Sequence, residues 1–262
     1  MVREGRVLFE RFARQHRSHL PWKRTGALLC AWTADEANRL PVIAAKAARL
    51  GLATKLLTRE EVLKREPRLS QAVVAGLAVP DEAVGNAWAI AMAYLNEAVA
   101  NGADVVRSFE VTVARRGGGA SGGWVLEDAG GRRLLHAALV VNAAGNAADL
   151  IDRLAFGADS VAYAAAPRKG QFVVYGCQPV KSLILPIPTA ETKGVLVNVN
   201  VHGTVSIGPT AEDQASRDDR SNTSEARAML TAAGHRIIPD LAVSNRRGAA
   251  ARGLVFKGRN WA

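Results

Sequence analysis

The feature that most constrains the fold of this chain is the stretch at residues 137–157, which reads AALVVNAAGNAADLIDRLAFG. Its unbroken apolar run at 137–141 predicts a strand that is covered on both faces, and the small residues after it predict a turn. A helix is expected next, since Asn146 can cap its start and Gly157 can end it. The apolar residues on one face of this helix are Leu150, Ile151 and Leu154.

A strand, a small-residue turn and a helix in this order admit two interpretations. The turn would present free backbone N–H groups at the positive end of a helix, with no side chains to hold phosphates away, which is the geometry of a nucleotide-cofactor site. The same order also describes an ordinary β-α connection whose small residues only permit close packing. The stretch by itself leaves both interpretations open.

The net charge of +10 lies at the two ends of the chain. Residues 1–24 carry seven basic and two acidic side chains, and residues 245–262 carry five basic and no acidic ones, so the middle of the chain is neutral. A nucleic-acid-binding protein is expected to carry its excess charge on a folded face with aromatic residues interleaved. The charge distribution therefore argues against nucleic acid as a partner.

The two cysteines, Cys30 and Cys177, lie far apart in apolar surroundings, a pattern that fits neither a disulfide framework nor a four-ligand metal site. No stretch approaches the roughly 18 apolar residues of a membrane span. The sequence thus predicts a protein of a reducing compartment, the cytoplasm, without a metal or a transmembrane segment, and leaves peripheral membrane contact open. The Arg-rich residues 7–20 predict a surface helix, with a transit peptide as the alternative.

Residues 117–123 contain glycines at the spacing G-x-G-x-x-G of dinucleotide-binding loops. Such a loop needs a helix directly after the glycines and an acidic residue about 20 positions later. Here a strand containing Trp124 follows, and a Gly-Gly pair then turns the chain again. The glycines are therefore predicted to form a flexible hairpin loop that binds no nucleotide.

Capping patterns and apolar periodicity predict the other elements. Thr33 with Glu36 and Thr58 with Glu61 form capping boxes, and Asn86 can cap a further helix. The predicted elements are a strand at 26–32, helices at 34–50, 86–101 and 223–238, and strands at 171–175, 183–186, 194–201 and 204–207. The last four strands predict an antiparallel sheet added to the β-α unit.

Five segments in chain order carry a resemblance to a known family. They are Glu66-Pro67, NGADV at 101–105, VVNAAG at 140–145, PRKGQ at 167–171, and 193–213, which begins KGVLV, contains His202-Gly203 and ends IGPTAED. Over about residues 25–240 the chain resembles FAD-dependent oxidoreductases of the D-amino-acid-oxidase superfamily. The resemblance lies in the branch of FAD glycerol-3-phosphate dehydrogenases and L-2-hydroxyglutarate oxidases.

The resemblance implies a mixed α/β (α+β) fold in which a partial FAD-binding β-α domain is interleaved with an antiparallel-sheet substrate domain. The FAD-binding part would comprise residues 1–20 and 86–157, and the substrate-binding part residues 21–85 and 158–213. Residues 214–243 would form a helical return segment, and residues 244–262 a disordered basic tail.

The same resemblance implies a set of cofactor-binding residues. In such enzymes the residue matching Val111 meets the adenine through its backbone. The residues matching Ala143, Ala144 and Gly145, with Asn142 before them, pass close to the pyrophosphate. FAD is thus the expected cofactor.

The chain departs from the family pattern at both ends. The family opens with a βαβ unit that carries phosphate-binding glycines and an acidic ribose partner, and this chain begins after that unit. The family closes with a glycine-rich strand and helix over the flavin, where this chain reads SNRRGAAARGLVFK from Ser244. The departures predict that the chain alone lacks FAD and activity, and a truncated, non-catalytic remnant is the alternative to an enzyme.

The implied activity is oxidation of a hydroxyl-bearing small acid or phosphate by hydride transfer to flavin, while a base removes the hydroxyl proton. His202 is the candidate base or substrate ligand because imidazole titrates near neutrality, although His202-Gly203 also fits an exposed turn. Lys193 is the candidate for binding a substrate carboxylate or phosphate, with an ordinary surface lysine as the alternative. Leu196 stands where hydroxyglutarate oxidases carry a histidine, which favours a glycerol-3-phosphate-like substrate over an L-2-hydroxy acid. The electron acceptor and the oligomeric state are left open.

Overall fold

The computed structural model describes residues 2–16, 20–118, 122–158, 163–176, 179–189, 194–241 and 252–257. The chain divides into two compact units. Unit 1 comprises Met1–Asn101, Gly170–Ala211 and Ser221–Gly253, and unit 2 comprises Gly102–Lys169, Glu212–Arg220 and Leu254–Ala262. The assignment of chain segments to a FAD-binding and a substrate-binding domain stays a prediction.

Helices and strands alternate irregularly along the chain, so the mixed α/β class expected from the sequence is confirmed. The helices are α1 Val2–Gln15, α2 Ala34–Arg49, α3 Arg59–Arg65, α4 Ala87–Ala100, α5 Ala148–Phe156 and α6 Ser224–Ile237. The strands are β1 Trp22–Arg24, β2 Ala27–Ala31, β3 Lys55–Thr58, β4 Ala75–Val79, β5 Ala83–Gly85, β6 Val111–Arg116, β7 Trp124–Asp128, β8 Leu134–Ala137, β9 Ala166–Gln171, β10 Val173–Tyr175, β11 Leu183–Leu185, β12 Leu196–Val199, β13 Val205–Gly208, β14 Glu212–Asp213 and β15 Arg252–Lys257.

Unit 1 is built on a seven-stranded sheet with the order β10-β13-β12-β11-β2-β4-β3. The predicted antiparallel arrangement is confirmed for β10 to β13. The sheet is mixed, however, because β11 pairs in parallel with β2, and Ile184 lies opposite Leu28. The strands predicted early and late in the chain therefore form one sheet.

The inner strand β2, which lies between β11 and β4, is buried along its whole length, in agreement with its unbroken apolar sequence ALLCA. Side chains on its two faces belong to two separate apolar clusters. Leu28 and Cys30 lie in the larger cluster, and Leu29 packs with Leu40 of α2 and Leu77 in the smaller one. Burial raises the pKa of the Cys30 thiol to about 12, with the nearby charge of Glu66 as a second cause.

The predicted helix starts in unit 1 are confirmed. The side chain of Thr33 accepts a hydrogen bond from the backbone N–H of Glu36, and Asn86 caps α4 in the same way through Ala89. Thr58 and Glu61 form a complete capping box at the start of α3. These local patterns depend only on residues within one helical turn, which is why the sequence identifies them.

The C-terminal end of α3 carries a buried carboxylate. Glu66, which is 1% exposed, accepts hydrogen bonds from the backbone N–H groups of Lys181 (3.0 Å) and Ser182 (2.8 Å). Both donors directly precede β11. Glu66 thus connects α3 to the strand that enters the sheet in parallel with β2.

Unit 2 contains the antiparallel sheet β6-β7-β8, with α5 against β6. The strand predicted at 137–141 is wrong, because β8 ends at Ala137 and the side chains of Leu139 and Val141 are 78% and 80% exposed. Among the described strands none pairs with 138–141, so this apolar run has no ladder partner that would hold it extended.

Three further expectations concern the ends of α5 and the residues after 244. Gly157 ends α5 with φ +87°, as predicted. Asn146 does not cap α5, since the N-cap residue is Ala147 and makes no side-chain bond. Residues 252–257, predicted within a disordered tail, form β15 beside β9, in agreement with the β-forming residues Leu254, Val255 and Phe256.

No helix in the described part of the chain is long and apolar enough to cross a membrane.

Candidate cofactor site

A cavity of about 250 Å³ lies within unit 2, between the β6-β7 hairpin, the segment after β8 and α5. It brings Val111 of β6 next to Asn142, Ala143 and Ala144, four of the predicted cofactor-binding residues that are distant in sequence. The remaining lining residues are Ala114, Trp124, Leu126, Val140, Val141, Ile151, Asp152, Ala155 and Phe156. An apolar cleft with a few polar groups at one end is the usual form of a cofactor pocket.

Asn142 shapes the turn at the polar end of this cavity. Its side-chain oxygen accepts from the backbone N–H of Ala144 (3.2 Å). Its side-chain nitrogen donates to the carbonyl of Ala148 (2.8 Å) and to Oδ1 of Asp152 (2.7 Å), and Asp152 also accepts from Tyr163 Oη (2.9 Å). The turn is thus bonded to the first two turns of α5.

The backbone after this turn offers N–H groups ahead of a helix. Gly145–Ala147 form a 3₁₀ turn in which the N–H of Ala147 bonds the carbonyl of Ala144 and the N–H of Ala148 bonds that of Gly145. The N–H groups of Gly145 and Asn146 therefore precede the first helical bonds. Gly145 has φ +56°, and a Cβ built on it would have no atom within 4 Å. These features suit the approach of an anion to the helix end.

An ion pair next to this turn was not foreseen from the sequence. Arg217, in the segment after β14, donates from Nη1 to Asp149 Oδ1 (2.7 Å) and from Nη2 to Asp149 Oδ2 (2.8 Å). Asp149 is fully buried and its Oδ2 also accepts from the N–H of Ala165 (3.1 Å). No short-range pattern links residues 149 and 217, so only the folded chain shows the pair.

The pair gives unit 2 a pH-dependent contribution to stability. Hydrogen bonding by Arg217 lowers the pKa of Asp149 from 3.8 to about 2, against the opposing effect of burial. A carboxyl whose pKa is lowered by folding stabilises the fold above its unfolded pKa and loses that contribution as the pH falls through the folded value. We expect the free energy of unfolding of the unchanged chain, relative to an Asp149→Asn variant, to be constant from pH 5 to 8 and to fall between pH 4 and 2. Urea titrations of both proteins at a series of fixed pH values measure this difference in the free energy of unfolding. An equal pH dependence of the two proteins would contradict the lowered pKa of Asp149.

The glycine loop at 117–123 joins two antiparallel strands, as predicted. β6 and β7 pair from Val111 with Asp128 to Arg116 with Trp124, and the N–H of Gly117 bonds the carbonyl of Gly123 (3.0 Å). Residues 119–121 lie outside the described part. Since β7 follows the loop directly, no helix N-terminus is available there for a phosphate.

Deletion of Gly117 and Gly118 is therefore expected to leave FAD affinity within twofold of that of the unchanged chain. Fluorescence titration with FAD measures this affinity, and deletion of Ala143 and Ala144 is the matched change at the proposed site. Loss of FAD affinity in the Gly117-Gly118 deletion alone would show that the loop contributes to the cofactor site.

Of the two predicted substrate residues, the structure describes His202. His202 is exposed in the turn between β12 and β13, where its Nε2 lies 3.0 Å from Nδ2 of Asn86. Because Asn86 Oδ1 accepts from the N–H of Ala89, its Nδ2 donates and His202 Nε2 accepts. This arrangement fits the alternative of an exposed turn, and the role of His202 as a base stays a prediction. Lys193 lies outside the described residues.

The described residues contain no cluster of three or more His, Cys, Asp or Glu side chains that could hold a metal ion.

A family model described as FAD dependent oxidoreductase (DAO) matches residues 1–258. The chain belongs to this family. FAD is the cofactor from which the family takes its description, and the resemblance found in the sequence is confirmed.

Curated relatives and solved structures agree with the family. The chain is 28% identical to a glycerol 3-phosphate dehydrogenase of Caloramator mitchellensis over 262 residues, covering 95% of this chain and 52% of the relative. It is 28% identical to a glycerol 3-phosphate oxidase of Mycoplasma pneumoniae, covering 86% and 59%. The dithionite-reduced L-α-glycerophosphate oxidase of Mycoplasma pneumoniae with FAD bound superimposes with a TM-score of 0.80 at 25% identity, covering 91% of this chain and 63% of that one.

The fold is also shared with the glycine oxidase of Bacillus cereus, with a TM-score of 0.80 at 20% identity and coverage of 98% and 68%. The chain spans about half the length of the curated relatives that it matches. The residues of the unit 2 cavity fit part of a FAD molecule, because the apolar walls continue to Ala143 and Ala144, and a Cβ added to the next residue, Gly145, would meet no atom within 4 Å.

Proposed function

We propose that this chain supplies part of the FAD site of an oxidoreductase that oxidises glycerol 3-phosphate or a closely similar hydroxyl-bearing phosphate. The observation that carries the proposal is the cavity in unit 2, whose walls include Val111 together with Asn142, Ala143 and Ala144. It is supported by family membership and by the similarity to glycerol 3-phosphate dehydrogenases and oxidases. A small-molecule substrate follows from the same similarity.

When bound, FAD would supply the hydride acceptor for oxidation of the substrate carbon. The chain's own contribution to this chemistry is binding and orientation. Val111 would contact the adenine through its backbone, and the N–H groups of Gly145 and Asn146 would donate to the diphosphate. The apolar walls formed by Trp124, Leu126 and Ile151 would exclude water from this end of the cofactor.

Glycerol 3-phosphate is preferred over an L-2-hydroxy acid for two reasons. Two curated relatives at 28% identity act on glycerol 3-phosphate by name. In addition, Leu196 occupies the position at which the resemblance places a histidine in hydroxyglutarate oxidases. Lys193 would provide a point charge for the substrate phosphate.

The test is an anaerobic titration, with FAD and then with substrate, of the chain preceded by the phosphate-binding βαβ unit of the family. The other FAD measurements on the unchanged chain and its variants use the same added unit. We expect the flavin absorbance to be bleached by glycerol 3-phosphate and to be unchanged by L-2-hydroxyglutarate. Bleaching by the hydroxy acid alone would overturn the substrate choice.

Failure of FAD to bind would instead favour the second candidate, a non-catalytic remnant.

A further inference from the structure

We propose that Arg217 is a positioning residue for the FAD diphosphate: it holds the start of α5 and neutralises Asp149 so that the turn at 142–146 can accept an anion. The proposal rests on the proposed function, because it assigns a role at the same site. It concerns a residue that none of the sequence motifs includes.

The first observation is the way in which Arg217 and Asn146 bond each other. Nη1 of Arg217 donates to the backbone carbonyl of Asn146, and Nδ2 of Asn146 donates to the backbone carbonyl of Arg217 (3.1 Å). Asn146 lies in the 3₁₀ turn directly before α5, and Ala147, the N-cap residue of α5, has no side-chain cap of its own. The contacts with residue 217 therefore fix the 3₁₀ turn directly before α5. They do not cap the helix, because an N-cap accepts from backbone N–H groups, whereas Arg217 donates to a carbonyl.

The second observation concerns charge. Asp149 places a carboxylate in the first turn of α5, the end of the helix at which a diphosphate would bind. An unpaired carboxylate there would repel the anion, and its burial leaves little water to screen it. The guanidinium group of Arg217 donates a hydrogen bond to each carboxylate oxygen of Asp149, and its positive charge neutralises the negative charge of that carboxylate.

Other charged groups near this turn already have partners. Asp152 accepts from Asn142 and Tyr163, and Asp219 accepts from Lys169 Nζ (2.9 Å). The donors to Asp152 are uncharged, so its carboxylate keeps its charge beside the cavity. Removal of Arg217 would add to it the charge of Asp149 at the start of α5. Removal of the Asp149 charge should compensate for the loss of Arg217, but it would also relieve the instability of an unpaired buried carboxylate. The comparison of FAD with adenosine, which has no phosphate, therefore distinguishes a role toward the diphosphate from a purely structural role.

The experiment measures the dissociation constants of FAD and of adenosine for the unchanged chain and for Arg217→Ala, Arg217→Lys and the double variant Arg217→Ala/Asp149→Asn. We expect Arg217→Ala to raise the FAD dissociation constant at least tenfold and the adenosine dissociation constant less than twofold, since adenosine has no phosphate. Arg217→Lys should recover part of the FAD affinity. The double variant should bind FAD more tightly than Arg217→Ala.

Asp213→Asn is the matched control, because it removes the ion pair of Asp213 with Arg168 (3.2 Å) from the same segment and should leave FAD affinity unchanged. An Arg217→Ala protein that binds FAD as tightly as the unchanged chain overturns the proposal. So does an equal weakening of FAD and adenosine, which indicates a general loss of structure. If the unchanged chain with the added βαβ unit binds no FAD, the proposed function itself fails, and this inference fails with it.

Discussion

Replacement of Gly145 by valine is expected to raise the dissociation constant of FAD at least tenfold, which corresponds to about 1.4 kcal/mol or more. Gly145 has φ +56°, a backbone conformation that a β-branched residue rarely adopts. A Cβ added at this position would have no atom of the chain within 4 Å, so valine would cause no steric clash within the protein at its Cβ. The loss of affinity would come from a side chain in the space proposed for the diphosphate. Fluorescence titration with FAD provides the measurement.

The control for this variant is Gly131→Val. Gly131 also lies in unit 2 and has φ +64°, and a Cβ added to it would meet no atom within 4 Å, but it sits in the turn between β7 and β8. Both variants should lose about 1–2 kcal/mol of stability through backbone strain. Only Gly145→Val should lose FAD affinity, and equal losses in the two proteins would contradict the placement of the diphosphate.

Replacement of Glu66 by alanine is expected to lower the free energy of unfolding of unit 1 by about 3 kcal/mol. The carboxylate is buried and accepts from the N–H groups of Lys181 and Ser182, and alanine leaves both donors without an acceptor. Each buried donor left unsatisfied costs about 1–3 kcal/mol. Urea denaturation followed by circular dichroism measures the change.

A Glu66→Gln variant tests the two hydrogen bonds that the Glu66 carboxylate accepts, because glutamine keeps the size of the side chain. Its side-chain oxygen can accept from one of the two N–H groups, while its NH₂ group faces the other donor. We expect a stability between those of Glu66→Ala and the unchanged chain. If both variants are as stable as the unchanged chain, Glu66 does not connect α3 to β11 in solution.

Local features of the fold could be predicted from the sequence because their causes are local. Thr33, Thr58 and Asn86 cap helices through bonds to residues three positions later, and Gly157 ends α5 through its positive φ. The parallel pairing of β2 with β11 could not be predicted in this way. This pairing depends on contacts between segments that are distant in the sequence, and the pattern of apolar residues within one strand does not identify its partner strand.

In the candidate site, too, some residues could be identified from the sequence and others could not. The resemblance to the family identified Val111 and Asn142 to Gly145, and the structure gathers Val111, Asn142, Ala143 and Ala144 around one cavity. The apolar run at 137–141 misled the prediction, since apolar composition indicates burial but does not supply a ladder partner. Arg217 was missed because it lies in a polar segment whose sequence is typical of a surface loop.

The parallel pairing of β2 with β11 also has a consequence for the order of folding. Most of unit 2 lies in the sequence between these two strands, so Leu28 and Ile184 can meet only after a long loop has closed. The entropy cost of closure grows slowly with loop length, but the pairing cannot begin during synthesis until β11 has been made. Until then β2 would pair with β4 alone, and the N–H and C=O groups on its other edge would lack partners. A nascent chain of this protein therefore depends on its second half to complete the sheet begun by its first.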